Sequence, residues 1–267
     1  MNCCYPTNKV KSKKVKKLLS LSLLALLPFT AAAQVGEYRT DFAIGGSAGV
    51  MMSNVGFVPD VPQGMLMGYT AGLSVRYTCE KYFSSICSIV GEVNIAQTGW
   101  KEDIRDVNDE RVYYADDAAK VSPLSYERTL TYLQIPFMAR LGWGRERKGL
   151  QAFIQAGPQI GVYLGESVRS NIDLTRSVAN SRASQVVAQD TLSVQNKFDY
   201  GIAAGGGIEF SVPKVGHFIL EGRYYYGLGN IFKNSKSDYF GKSNHGQIVI
   251  KATYLFDIVR TRNPKIK

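Results

Sequence analysis

The stretch LMGYTAGLSVRYT, residues 66–78, alternates at period two almost without error. Met67, Tyr69, Ala71, Leu73, Val75 and Tyr77 fall on one face of an extended strand. Gly68, Thr70, Gly72, Ser74, Arg76 and Thr78 fall on the other. In a sheet with one face on water, the apolar side turns inward and Arg76 turns out. In a barrel that spans a bilayer the sense reverses. The rest of the chain decides between them.

The N-terminus speaks for export. Residues 1–17 carry Lys9, Lys11, Lys13, Lys14, Lys16 and Lys17 and no acid. An apolar run over 18–29 follows, then Ala31, Ala32, Ala33 and Gln34. A basic region, a short apolar core and a small-x-small site read as a signal peptide over 1–33, cut after Ala33. The run is shorter than the roughly 20 residues a spanning helix needs. Cys3 and Cys4 precede the apolar core, where no lipoprotein signal would place its cysteine. Removing the segment takes six of the 32 basic residues and none of the 22 acidic ones, so the net charge drops from +10 to +4. The basic balance is mostly a targeting feature and gives no case for nucleic acid. No later stretch approaches 18 apolar residues, so no transmembrane helix is expected.

Eight strand-like runs follow, over 42–52, 66–78, 86–99, 128–141, 150–164, 198–212, 218–228 and 246–256. A tilted strand needs about 9 to 11 residues to cross a bilayer, and ordinary strands average about 5 to 6. The connections alternate long and short. Those over 79–85, 142–149 and 213–217 are short, and those over 100–127 and 165–197 are long. Bacterial outer-membrane barrels keep short turns in the periplasm and long loops outside, with an even strand number. The expectation is an all-β protein, a closed antiparallel eight-stranded barrel in the outer membrane, with long loops extracellular and both termini periplasmic. Its parts are the signal over 1–33, a short segment over 34–41, the barrel over 42–256 and a basic tail over 257–267.

Parity then places the charges. The apolar faces of the eight runs hold no Asp, Glu, Lys or Arg. The opposite faces hold Arg76, Arg140, Arg223 and Lys251 against Glu92, Asp199, Glu209 and Glu221. An eight-stranded barrel is just wide enough for side chains to fill. Arg76 therefore points into the lumen, and Arg76, Glu92, Arg140, Glu209, Glu221, Arg223 and Lys251 are expected to form a charge network there. Gly201, Gly205 and Gly207 are expected to make room for Phe153, Tyr163 and Tyr225. Tyr69, Tyr77, Tyr224 and Tyr226 suit interfacial girdles. Tyr254 and Phe256 face lipid at the end of the last strand, as in the signal read by the barrel assembly machinery. Cys79 and Cys87 flank the first short turn in an oxidising compartment, as a disulfide or as two free thiols.

Other chemistries fit poorly. GKS at 241–243 has Lys236 where a P-loop needs its first glycine. GIAAGGGIEF at 201–210 opens no helix, which dinucleotide binding requires. DVNDER at 106–111 has Arg111 in the glycine place of a calcium loop. His217 falls in a short turn, and His245 stands near Ser243 with no acid to complete a triad. No catalytic residue, cofactor or metal ligand is assigned.

The segments TYLQIPFMARLGWG, FIQAGPQIGVYLG, FDYGIAAGGGIEF, EGRYYYGLGNIF and IKATYLF resemble the outer-membrane β-barrel family of Bacteroidetes that includes PorT. The resemblance spans nearly all of 42–256. It implies an eight-stranded barrel that is an accessory of secretion through the type IX system, with lipid, the assembly machinery and secretion components as partners. A generic surface barrel with a structural, adhesive or loop-binding role is the alternative. A channel or a barrel enzyme ranks behind both, because a filled lumen disfavours a diffusion pore.

Overall fold

Alternation at period two, held for more than ten residues at a time, produces strands far longer than a soluble sheet uses. The computed structural model describes residues 37–260 except 83–84, 118–119, 121, 146–147, 174, 179–180 and 185. The expected signal segment over 1–33 and residues 261–267 of the expected tail lie outside the described residues. The long strands are β1 (Glu37–Val58), β3 (Leu66–Tyr82), β4 (Ser85–Glu102), β5 (Tyr126–Gly144), β6 (Gly149–Ser170), β7 (Phe198–Val212), β8 (Gly216–Gly227) and β9 (Lys242–Val259). Between them lie a two-residue strand, β2 (Gln63–Gly64), and one helical turn, α1 (Ala188–Thr191).

Sequence neighbours pair antiparallel, β1 pairs β9, and the β4–β5 pairing completes the ring. Closure leaves no sheet edge within the lipid, where an unpaired backbone group would be costly. The strands outrun the expected segments. β1 begins at Glu37 rather than 42, and β9 continues to Val259, past the expected end at 256. At the long-loop end pairing continues after the apolar alternation stops, with Gln97, Lys101, Glu127 and Thr129 on the outer face. The apolar pattern marks the lipid belt, and the hydrogen-bonded ladder reaches beyond it.

The two faces separate as parity requires. Outward residues such as Tyr69 (71% exposed), Leu73 (63%) and Phe137 (58%) form a continuous apolar belt. Arg76, Glu92, Arg140 and Glu221 are buried inside the ring. A belt of this extent would be strongly unfavourable in water and is ordinary in lipid. One barrel end carries the three short turns, the start of β1 and the end of β9. The other carries the connections over 59–65, 103–125, 171–197 and 228–241. Gly216 holds φ +141° beside one short turn, and a Cβ there would meet Leu255 O at 2.5 Å. Only glycine fits that corner.

Candidate functional site

Strand parity brings the expected lumen residues into one network near the short-turn end. Arg76 donates to both oxygens of Glu209 at 2.6 and 2.7 Å. Arg140 lies 3.5 Å from Glu209 and 3.4 Å from Glu221, and its guanidinium stacks 3.9 Å from the Phe153 ring centre. Gln155 accepts from Arg140 at 3.0 Å and donates to Glu221 at 2.9 Å. Arg223 reaches both oxygens of Glu92 at 3.0 and 2.9 Å, and Glu221 at 2.7 Å. Lys251 Nζ sits 2.7 Å from Glu92 and 3.0 Å from Glu221. Each ion thus has a counter-ion at contact, which a charge this deep requires. Asp199 stands apart and accepts from Tyr225 at 2.7 Å. A Cβ at Gly201 would lie 2.8 Å from the Tyr225 ring, so that glycine makes the space.

His217 is buried at the start of β8 and does not lie in the turn itself. Ser211 Oγ lies 2.7 Å and Glu209 Oε1 2.8 Å from its Nδ1, and Asp257 Oδ1 lies 3.0 Å from its Nε2. Serine, histidine and aspartate therefore meet, but not as a working nucleophile. Carboxylates face both ring nitrogens, so neither nitrogen is free to take a serine proton. Ser211 is itself 2% exposed. The other candidate pair also dissolves. Ser243 Oγ accepts the Phe232 N–H at 3.0 Å, while His245 lies buried against Tyr132.

A polar layer continues the filling: Gln134 donates to Gln247 at 3.0 Å, and Gln247 to Thr98 at 3.3 Å. Above it lies a hydrophobic cap that the sequence reading missed. Phe57, Trp100, Phe232 and Phe240 pack with centroids 5.1 to 6.4 Å apart, Trp100 edge-on to Phe57 and Phe232. Val55, Val61, Ile104, Val112, Leu130 and Ile231, with Tyr126 and Tyr132, complete this cluster. The signal was present, since Trp100 shares the inward parity of Glu92 and Asn94. The connection over 171–197 is strapped across this mouth. Arg128 donates to Gln189 O at 3.1 Å and Leu192 O at 2.6 Å, and Gln189 donates to Glu102 at 2.6 Å. Arg182 bonds Glu102 and lies 3.3 Å from Asp190. Glu102 stands beyond the lipid belt, past Gln97. Burial, reinforced by neighbouring Asp190, pushes its carboxyl up to about 7 against the pull of Gln189 and Arg182.

Cys79 and Cys87 stand unbonded and line one depression of the outer wall. A bulge explains the mismatch: Thr78 faces Ser88 and Glu80 faces Cys87, so Cys79 is the extra residue, off register from Cys87. Tyr254 and Phe256 are exposed on the outer face of β9. The hollow at the short-turn mouth measures about 20 Å³, room for roughly one water. Among the described residues, ions, then amides, then aromatic rings occupy the lumen in successive layers.

A family model described as outer membrane protein beta-barrel domain matches residues 32–233. No curated protein sequence matches the chain. Solved structures resemble it at low identity. The attachment invasion locus protein Ail of Yersinia pestis is 13% identical, with a TM-score of 0.34, covering 82% of this chain and 99% of its own. OprG of Pseudomonas aeruginosa is 12% identical, with a TM-score of 0.36 and coverage of 83% and 98%. The outer membrane enzyme PagL is 9% identical, with a TM-score of 0.37 and coverage of 78% and 97%.

Proposed function

We propose, from the premise that this chain belongs to the outer-membrane β-barrel family, that it is a non-enzymatic, non-conducting barrel serving protein secretion across the outer membrane. In this reading it is a PorT-like accessory of the type IX system. The observation that carries the reading is the filled lumen. Cargo cannot pass through a barrel whose interior holds the Arg76–Glu209 and Arg223–Glu92 pairs and a packed aromatic cap. The protein must then act through its two ends and its outer wall. The sequence resemblance supplies the secretion context. The long connections are taken as extracellular and the short turns, with both chain ends, as periplasmic. The barrel assembly machinery would read Tyr254 and Phe256.

Deleting the gene and measuring secreted proteins tests this. Secretion substrates should accumulate in the periplasm, and the purified barrel should give no steady conductance in a planar bilayer. Normal secretion in the deletion strain would sink the accessory role. A second reading, a surface barrel that binds through its loops, draws support from the cap, which takes in Ile104 and Val112 of one connection while Gln189 of another is bonded to Arg128 and Glu102. Normal secretion together with lost surface binding would favour it.

A further inference from the structure

Two depressions on the outer wall meet at the short-turn end and differ in chemistry. The larger, about 690 Å³, is a groove in the apolar belt. Small residues on β1 and β9 (Gly46, Ala48 and Ala252) form part of its floor, and Phe210, Phe218 and Tyr254 wall it. The smaller, about 180 Å³, lies at the rim and is lined by Lys214, Phe256, Asp257 and Arg260. They adjoin at Tyr254, whose hydroxyl donates to Val215 O at 2.6 Å; Val215 lines the rim depression. Lys214 and Arg260 are both exposed there. Asp257 holds Arg260 on one side and His217 on the other.

We propose that the two depressions form one binding site for a glycerophospholipid. An acyl chain lies in the groove, and the phosphate sits at the rim against Lys214 and Arg260. Bulk lipid tails are as apolar as the groove, so no hydrophobic gain selects the chain. Selection comes from the close packing that a recess offers one flexible chain. The charge comes from the rim, where a guanidinium and an ammonium give charge-assisted hydrogen bonds to a phosphate. A detergent tail or a second barrel could fill the groove, but neither uses the net positive charge that Lys214 and Arg260 leave over Asp257 at its end. The leaflet follows from the orientation proposed above, which would make this a lipid of the periplasmic leaflet. Binding itself is read on the purified barrel and does not depend on a secretion role.

The test is native mass spectrometry of the barrel after exchange into a lipid-free neutral detergent, then reloading from vesicles of phosphatidylethanolamine and phosphatidylglycerol. Wild type should keep one phospholipid at substoichiometric lipid. Gly46→Phe fills the groove without a backbone clash, since a Cβ there meets nothing nearer than 3.9 Å. It should lower retention on the order of tenfold, as should Lys214→Ala combined with Arg260→Ala. Gly165→Phe, on the wall near the long-loop end where a Cβ meets nothing within 4 Å, should leave retention unchanged. Loss of retention in Gly165→Phe equal to that in Gly46→Phe would overturn the site, as would equal retention in all four proteins. Wild type can also be labelled from vesicles with a photoreactive acyl chain. Label should concentrate on peptides containing residues 46–48 and 252–254, and an even spread around the barrel would refute the proposal.

Discussion

Arg223 shows how much rests on single buried ions. Its guanidinium joins Glu92 and Glu221, and both carboxylates also meet Lys251. Arg223→Ala should destabilise the barrel by about 3–5 kcal/mol, because uncompensated charge stays inside. A lowered transition in heat-modifiable gel mobility, against an unchanged Lys101→Ala control, checks this. Glu102 behaves differently. Its folded value of about 7 exceeds its ordinary 4.5. Between those two values the folded state binds the extra proton, so this stabilisation is complete below about 4.5. It is lost as pH rises through 7. The strap over 171–197 should therefore be cleaved faster by added protease at pH 8 than at pH 5, and Glu102→Gln should flatten that dependence. An unchanged pH profile in Glu102→Gln would show that another group controls the strap.

The elements were legible where the environment was uniform. Period-two alternation located all eight strands and the lumen charges of the short-turn half, though it passed over Arg128 at the other mouth, because lipid on one side and a narrow interior on the other leave each position one choice. Legibility failed where that contrast ends. Phe57 and Trp100 keep inward parity but lie above the belt, and their partners Phe232 and Phe240 sit in a connection with no period. Only tertiary folding brings them together. Bulges defeat parity in the same way. Leu164 is the extra residue between Tyr132↔Tyr163 and Thr131↔Gly165, which turns Glu166 inward to Arg128 at 2.7 Å. At Cys79 a bulge makes the cysteine the extra residue of its strand, diagonal to Cys87 instead of directly opposite it. Alkylation of the unreduced, denatured protein should therefore modify both thiols, and an unmodified pair would restore the staple. Trp100→Ala should cost the cap about 3–5 kcal/mol while leaving barrel mobility on gels intact. Limited proteolysis of the loops distinguishes the two.

At the scale of the whole molecule, closure depends on how β9 is finished. Sequence alone ended the barrel at Phe256 and assigned Asp257 to the basic tail. The structure instead runs β9 to Val259 and sets Asp257 against His217 Nε2 at 3.0 Å. His217 in turn contacts Glu209, which holds Arg76. The last strand is thus tied through one imidazole to β8, β7 and β3. Two truncations separate the tail from the clasp. Ending the chain at Arg260 keeps Asp257 and its partners, so the barrel should assemble and stay heat-modifiable at wild-type temperature. Ending it at Phe256 leaves Tyr254 and Phe256 for assembly but removes the carboxylate. His217 then keeps Glu209 and Ser211 at Nδ1 but loses its carboxylate at Nε2, and the barrel should unfold at a clearly lower temperature. Asp257→Asn in the full chain should reproduce most of that loss without shortening β9. If both truncations behaved like wild type, the clasp would carry no weight in closure, and Phe256 would be the functional end of the barrel.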